Sequence, residues 1–280
     1  MPNAPTLRFA PSPTGFLHLG HAYSAILNHD EARRMGGRFL LRIEDIDQTR
    51  CRPEFEEAIL EDLGWLGLTW DGEVLRQSDH FERYEAAIRR LADAGFLYRC
   101  FKTRKELREL AGAPHGPASP SPPTQPLLQD EEERRLAAGE SFSWRLNSEA
   151  VRTAISDRPL IYPLWTDDEP KDVVVELDQL ADEVLARKDF PASYHLASVL
   201  DDAGSGVDLV WRGEDLKDAA PLHRVLQELF HLPTPTYRYH DLITDDEGRR
   251  LAKRDQAATL RHLRQEGITP EQIRQRLGIG

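Results

Sequence analysis

A turn rich in proline and glycine near the amino terminus constrains the fold of this 280-residue chain more than any other feature. The segment Leu7–His21 reads as a short apolar strand, a turn and the start of a helix. Pro11 and Pro13 exclude a helix before the turn, and Gly15 permits unusual backbone angles. A helix that begins directly after a strand presents free N–H groups and the positive end of its dipole. We therefore predict that this helix start binds a nucleotide phosphate.

A second buried strand follows the first helix. It spans Arg38–Ile43 and runs directly into Glu44 and Asp45. Two strands joined by a helix form a βαβ unit with parallel pairing, and open parallel sheets bind ligands beyond the carboxyl ends of their strands. Arg8 and Glu44 both lie near such ends. We expect them at one site.

Composition limits the class of protein. A chain with 40% hydrophobic and 30% charged residues is ordinary for a globular enzyme. No apolar run reaches membrane-spanning length and the first residues do not resemble a signal peptide, so we expect a cytoplasmic location and no membrane partner. Two cysteines are too few for a disulfide framework.

The charge of the chain bears on nucleic-acid partners. A formal net charge of −12 has the wrong sign for indiscriminate binding of phosphates. An RNA partner would need local basic patches, for which Arg33–Arg38, Arg99–Arg108 and Arg249–Arg264 are candidates. Composition alone favours the alternative that these segments are solvated helical faces.

Two motifs carry a resemblance to a known family. His18-Leu19-Gly20-His21 resembles the first signature of class I aminoacyl-tRNA synthetases, and the preceding Arg-Phe-Ala-Pro-Ser-Pro-Thr-Gly narrows the resemblance to the glutamyl branch. Arg250 to Arg254 resembles the second signature, the Lys-Met-Ser-Lys-Ser loop. Only Lys253 is unchanged there, and Ala252 lacks the serine hydroxyl. The alternative is a strand-turn-helix with incidental histidines and a solvated basic loop.

The order of predicted elements, with this resemblance, indicates an α/β fold: a Rossmann-like parallel sheet with helices on both faces, an inserted small α+β subdomain and a short C-terminal helical segment. Phe96–Cys100 is expected to be a strand of the main sheet, followed by a Pro-rich loop over Ala113–Pro126. The insertion is expected to contain short strands at Phe142–Leu146, Val151–Ile155 and Val173–Val175. The predicted units are residues 1–100, the insertion 101–188, the second catalytic half 189–240, and 241–280 with the basic loop.

The chain is expected to rejoin the main sheet through a helix over Asp189–Leu200, with Pro191 in its first turn. The apolar strand Val207–Trp211 follows and delivers Arg212 to its carboxyl end. This places Arg212 near the predicted ligand site.

The resemblance implies an adenylation site that uses ATP with Mg²⁺. Adenylation needs fixed positive charge and N–H donors around the phosphates, because the attacking nucleophile is the carboxylate of the amino acid. Mg²⁺ arrives with the nucleotide. His18, His21 and Lys253 are the predicted catalytic residues. The predicted ATP-binding set is His18, Gly20, His21, Arg250 and Lys253.

An acidic amino acid suits the remaining candidates. Arg8 and Arg212 can make bidentate contacts to a carboxylate, and Glu44 can receive the α-ammonium group. The alternative for both arginines is a structural ion pair with Asp45 or Asp215. By resemblance, the rest of the glutamate pocket is formed by Ala10, Ser12 and Tyr194.

A protein-bound metal is not expected. The acidic strand end at Glu44 could bind a metal, but we judge that less favourable because nothing nearby offers a set of histidine or cysteine ligands. Relatives often carry a Cys-x-Cys zinc site after a Leu-Tyr pair. Here only Cys100 remains, since Lys102 replaces the second cysteine and no later cysteine exists. We therefore predict that zinc is absent.

Over nearly its whole length the chain resembles the truncated glutamyl-queuosine tRNA(Asp) synthetase family, which lacks the anticodon-binding domain of full glutamyl-tRNA synthetases. The resemblance implies ATP-dependent activation of L-glutamate and its transfer to the queuosine base in the anticodon stem-loop of tRNA(Asp), by a monomer. One alternative is a short glutamyl-tRNA synthetase that charges a tRNA 3′ end. Another is a catalytically silent RNA-binding paralogue, suggested by Ala252. An unrelated adenylyl-transferring ligase would not explain the segment before His18.

Overall fold

The computed structural model describes residues 4–103, 106–107, 124–155, 157–166, 169–243 and 259–279. The strands are β1 (Thr6–Phe9), β2 (Arg38–Ile43), β3 (Leu75–Arg76), β4 (Leu97–Cys100), β5 (Ser143–Leu146), β6 (Ile161–Thr166), β7 (Glu169–Val174), β8 (Val184–Ala186), β9 (Leu209–Gly213) and β10 (Thr236–His240). The helices are α1 (Leu19–Arg34), α2 (Pro53–Trp65), α3 (Phe81–Asp93), α4 (Gln129–Ala137), α5 (Ser148–Ala154), α6 (Tyr194–Gly204), α7 (Ala220–Phe230), α8 (Leu260–Gln265) and α9 (Pro270–Arg276). Short 3₁₀ helices span Gln77–His80, Leu177–Gln179 and Glu214–Ala219.

Parallel strands form the centre of the molecule. Strand β2 pairs with β1 and β3, and β10 pairs with β9 and β6, all in parallel. The Asp208 N–H donates to Thr6 O across 3.2 Å, which places β9 beside β1. The resulting order of strands is β3-β2-β1-β9-β10-β6. From β1 to β3 successive strands are added on one side, whereas from β9 to β10 they are added on the other, so the order switches between β1 and β9. A ligand crevice is expected at such a switch point, beyond the carboxyl ends of the two strands.

The sequence explains why these strands occupy the interior. Leu7, Phe39, Leu41 and Ile43 are almost completely buried, as expected for parallel strands that are covered on both faces. Helix α1 contacts both β1 and β2, which confirms the predicted βαβ unit and the Rossmann-like fold class.

Strand β4 does not belong to the parallel sheet. It pairs antiparallel with β5, and β5 pairs antiparallel with β8, so these strands form a separate sheet. The expectation that Phe96–Cys100 is a strand of the main sheet is therefore wrong. The strand itself and the one predicted over Phe142–Leu146 are confirmed. A strand's own residues indicate its conformation, whereas its partners depend on distant parts of the chain.

Two further expectations for the insertion are wrong. Val151–Ile155 is not a strand: helix α5 occupies this region, and the side chain of Asn147 caps it by accepting from the Ala150 N–H at 3.1 Å. The strand expected at Val173–Val175 exists as β7, but it pairs with β6, and β6 extends the main sheet.

The helix expected over Asp189–Leu200 starts later. Ser193 caps it, so α6 begins at Tyr194, and Pro191 lies before the helix rather than in its first turn. The domain boundaries at residues 100, 188 and 240 stay a prediction. Most of the predicted Pro-rich loop lies outside the described residues. Among the helices that are described, none combines the length and apolar character needed to cross a membrane.

Candidate functional site

A cleft of about 530 Å³ opens at the switch point between β1 and β9. Its walls come from the ends of these strands, the turn after β1, the first turn of α1, and α6. The predicted residues that line it are Arg8, Ala10, Ser12, His18, Gly20, His21, Glu44, Tyr194 and Arg212. The fold therefore brings together residues that are far apart in the sequence, such as Arg8 and Arg212.

The two histidines cap the start of helix α1. Nδ1 of His18 accepts from the Gly20 N–H at 3.1 Å, and Nδ1 of His21 accepts from the His18 N–H at 3.2 Å. The two rings are in contact, with centroids 3.8 Å apart. Because each Nδ1 accepts a hydrogen bond, each ring carries its proton on Nε2 and is a donor at that atom. The helix start thus presents imidazole N–H donors together with its positive dipole end.

Gly20 allows this close packing. A Cβ at this position would lie 3.1 Å from Cε1 and 3.2 Å from Nδ1 of His18. The missing side chain allows the His18 ring to lie directly against the helix backbone. Gly20 therefore contributes to the site through the orientation of His18.

Arg212 is buried at the end of β9 without a carboxylate partner among the described residues. Its side-chain Nη1 donates to the Tyr194 hydroxyl at 3.2 Å and lies 3.4 Å from Nδ1 of His223. The other two nitrogens, Nε and Nη2, have no hydrogen-bond partner in the part of the chain that is described. A buried guanidinium with unmade hydrogen bonds is costly, so this geometry favours an anionic ligand.

His223 and His195 support Arg212 and were not predicted. Nε2 of His223 lies 3.2 Å from Nδ1 of His195. Burial and the charge of Arg212 hold the pKa of His223 well below its ordinary value, and they lower the pKa of His195 to about 4. Both rings are therefore neutral near pH 7. Neutral rings neither repel the guanidinium of Arg212 nor neutralise its charge. A histidine on an apolar helix face gives no signal of such a role in the sequence.

Arg8 has a partner that the sequence did not suggest. Its Nε and Nη2 donate to Oδ1 and Oδ2 of Asp202 at 3.0 and 3.3 Å. The sequence also allowed the alternative of a structural ion pair between Arg8 and Asp45 or Asp215. Asp45 instead accepts from the backbone N–H and hydroxyl of Ser78. Arg8 is thus in a buried ion pair and also lines the cleft.

Glu44 lies at the end of the neighbouring strand. Nη2 of Arg42 donates to its Oε1 at 3.0 Å. Burial raises the pKa of Glu44, although the charge of Arg42 opposes the shift. Besides Arg42, a second cation would stabilise the charged form of Glu44. The α-ammonium group that Glu44 is predicted to receive would be such a cation.

The segment that carries Arg250 and Lys253 lies outside the described residues, whereas the residues that flank it lie in or next to this site. Ile243 lines the cleft, and Thr259 forms a β-bridge with His18. The Leu260 N–H donates to Leu17 O at 2.8 Å. The positions of the two basic side chains stay a prediction.

The predicted basic patches contain ion pairs where they are described. Arg33 pairs with Asp71 and Arg34 with Glu31, both on exposed surface. Arg99 pairs with Glu132. These contacts favour the interpretation of solvated faces for the first two patches.

The described residues contain no group of three or more histidine, cysteine, aspartate or glutamate side chains that could hold a metal ion. Cys100 is buried in β4. The predicted absence of zinc stays a prediction. The helix start presents donors for the phosphates of a nucleotide, as the predicted ATP site requires.

Comparison with known proteins agrees with this geometry. The family described as tRNA synthetases class I (E and Q), catalytic domain, matches residues 6–279. The chain is 45% identical to the Glutamyl-Q tRNA(Asp) synthetase of Rhodobacter capsulatus, over 97% of this chain and 99% of that protein. It is 40% identical to Glutamate--tRNA ligase 2 of a Methylobacterium species, over 95% of this chain and 58% of that protein.

A solved structure shows the same architecture. Glutamate-tRNA synthetase from Elizabethkingia anophelis superposes with a TM-score of 0.72 and 28% identity, covering 90% of this chain and 53% of that one. The match of the family over almost the whole chain, and the identity to full-length relatives, leave one conclusion. The chain is an enzyme of the ligase type and belongs to the class I tRNA synthetase family of the E and Q group.

Proposed function

We propose that this enzyme activates L-glutamate with ATP and transfers it to the queuosine base in the anticodon of tRNA(Asp). The observation that carries the glutamate assignment is Arg212, a buried guanidinium whose Nε and Nη2 lack partners among the described residues. A side-chain carboxylate of the substrate would satisfy both. A neutral amide in its place would leave the positive charge without compensation, so glutamine would be rejected.

In the proposed activation step, an oxygen of the α-carboxylate of glutamate attacks the α-phosphorus of ATP. The bond between the α-phosphorus and the oxygen that bridges to the β-phosphorus breaks, and pyrophosphate is released. The Nε2 donors of His18 and His21 and the N-terminus of α1 stabilise the charge that develops on the phosphates. Mg²⁺ bound with the nucleotide supplies further positive charge. Lys253 and Arg250 are proposed to add further cations.

The proposed glutamate pocket assigns each remaining residue a role. Arg212 and the Tyr194 hydroxyl bind the side-chain carboxylate, and Glu44 receives the α-ammonium group. Arg8 provides a further donor. Ala10 and Ser12 line the turn that places the reacting α-carboxylate of glutamate next to the α-phosphate of ATP. The protein is proposed to act in the cytoplasm as a monomer.

The choice of acceptor is supported by sequence identity. The chain is 45% identical to the Glutamyl-Q tRNA(Asp) synthetase of R. capsulatus and 40% identical to the Glutamate--tRNA ligase 2 of the Methylobacterium species. Charging of a tRNA 3′ end is the second candidate, because a relative with the ligase name is 40% identical to this chain.

The test supplies ATP, labelled glutamate, and tRNA(Asp) that either contains or lacks queuosine. We expect label on the queuosine-containing tRNA only, and nuclease digestion should place it in the anticodon fragment. Label at the 3′ end of tRNA(Glu) would support the second candidate instead. Failure to form any glutamyl-adenylate would favour the silent RNA-binding paralogue.

A further inference from the structure

The carboxylate of Asp202 joins two buried arginines that come from neighbouring strands. It lies near the end of helix α6 and accepts from Nε and Nη2 of Arg8 in β1. Its Oδ1 also accepts from Nη1 of Arg42 in β2. The side chains of all three residues are less than 10% exposed. Asp202 therefore compensates two positive charges at a place that water scarcely reaches.

The same contacts extend to the cleft through Arg42. Its Nη2 donates to Oε1 of Glu44 at 3.0 Å and to the hydroxyl of Ser198 at 3.3 Å. Asp202 thus holds Arg8 directly and Glu44 through Arg42. Arg8 and Glu44 both line the cleft, whereas Asp202 does not.

Electrostatics explains why a carboxylate is needed at this point. Two guanidinium groups that share one buried location repel each other unless an anion lies between them. Although burial opposes ionisation, the charges of Arg42 and Arg8 hold the pKa of Asp202 below its ordinary value. The two guanidinium groups therefore favour the charged form of this carboxylate. Without this carboxylate, both guanidinium groups would pair with other anions, among them Glu44.

We infer that Asp202 is a positioning residue of the glutamate pocket, which orients Arg8 and, through Arg42, Glu44, without touching the substrate. This inference rests on the proposed function. It assigns to a residue outside the cleft an effect on glutamate binding but not on ATP binding. Because Nε and Nη2 of Arg8 are on Asp202, we expect Arg8 to offer the substrate its Nη1.

The adjacent residue Asp201 provides a matched control. It is also buried on the same helix, but its carboxylate accepts mainly from other elements: from the Arg83 guanidinium, from the Tyr84 hydroxyl at 2.9 Å and from the Gln77 amide at 2.7 Å. Its closest approach to Arg42 is 3.9 Å. Replacement of either aspartate by asparagine removes one buried charge from one end of α6, so any purely structural cost should be similar.

The test compares glutamate-dependent ATP–pyrophosphate exchange for the wild type, Asp202→Asn and Asp201→Asn. We expect Asp202→Asn to raise the KM for glutamate roughly 10- to 100-fold, as for loss of a charge-assisted contact, with the KM for ATP changed less than about 2-fold. Asp201→Asn should leave the KM for glutamate within about 3-fold of the wild type. Equal shifts in the two variants, or no shift in Asp202→Asn, would overturn the inference.

A second measurement does not depend on folding of the variants. In a crystal structure of the wild-type enzyme with glutamate, Nε and Nη2 of Arg8 should remain on Asp202 while Nη1 faces the ligand. An Arg8 that leaves Asp202 to grip glutamate would overturn the inference. Wild-type protein that binds no glutamate would overturn the proposed function instead, and the two failures are therefore distinguishable.

Discussion

Arg212 and Tyr194 are joined by a hydrogen bond of 3.2 Å from Nη1 to the phenolic hydroxyl, across the wall of the cleft. The bond comes from two elements that are adjacent only in the fold, the end of β9 and the first residue of α6. It fixes the guanidinium plane while Nε and Nη2 stay without partners among the described residues. The pair therefore forms an oriented receptor for an anion.

Replacing Arg212 should affect glutamate far more than ATP. Arg212→Ala removes the proposed partner of the side-chain carboxylate, so the KM for glutamate should rise by about 100-fold or more, as for a charged hydrogen bond. The KM for ATP should change less than about 3-fold. Exchange kinetics with each substrate varied in turn measure both values. Equal losses for the two substrates would contradict the pocket assignment.

Tyr194→Phe should give a smaller effect of the same kind. The variant retains the ring but removes the hydroxyl that orients Arg212, which predicts a rise in the KM for glutamate of about 10-fold. Because the ring remains, the melting temperature should stay close to that of the wild type. A larger effect on the KM for ATP than on the KM for glutamate would contradict the assignment of this hydroxyl to the glutamate pocket.

The two roles of His18 can be separated by His18→Asn. Asparagine is a favourable N-cap residue, so the helix should keep its stability within about 0.5 kcal/mol in chemical unfolding. The Nε2 donor is lost, and kcat for adenylation should fall by about 100-fold, as for loss of one donor to a developing charge. A stable variant with unchanged kcat would show that His18 serves only as a cap.

The neutral state of His195 predicts a dependence of stability on pH. The folded ring has a pKa of about 4, whereas an unfolded histidine titrates near 6.5. Its contribution to stability is therefore present above pH 6.5 and is lost as the pH falls toward 4, by at most about 1.4 kcal/mol per pH unit.

Urea unfolding of the wild type and His195→Gln between pH 4.5 and 7.5 measures this effect. The stability of the wild type should fall more steeply with acidification than that of the variant. Parallel pH profiles would show that the folded ring titrates like the unfolded one.

Asp62 should destabilise the folded protein at neutral pH. Its carboxylate is buried in α2, neither oxygen has a hydrogen-bond partner among the described residues, and Arg264 lies 3.5 Å away. Burial raises its pKa to about 6. A raised pKa means that the stability contributed by the protonated group is complete below about pH 4 and is lost as the pH rises through 6.

Asp62→Asn should therefore gain stability relative to the wild type by up to about 3 kcal/mol between pH 4 and pH 7. Glu61→Gln serves as the control, because exposed Glu61 pairs with the same arginine at 2.8 Å and should change the profile little. A gain that does not vary with pH would contradict a raised pKa for Asp62.

The sequence was most informative where its signals are local. The prolines before His18, the periodicity of α1 and the apolar run of β2 depend on neighbouring residues, and they predicted the βαβ unit and the position of Arg8 and Glu44 at strand ends. The start of α6 was misplaced because the Ser193 cap, rather than Pro191, determines where that helix begins.

Strand partners required the tertiary structure. The residues of β4 specify an extended conformation equally well for either sheet, and only the pairing with β5 places it outside the main one. Similarly, β7 is in the main sheet because β6 pairs with β10. Such choices depend on contacts between segments that are far apart in the chain.

The sequence by itself determined which chemical groups enter the site: the histidines of the helix start, the arginines at strand ends and Glu44. The tertiary structure alone decided their partners. In the folded protein Arg8 forms an ion pair with Asp202, 194 positions away. Two nitrogens of Arg212 have no hydrogen-bond partner among the described residues. The physical reason is that burial makes every unpaired charge costly, and which charges meet is set by the packing of whole elements rather than by spacing along the chain.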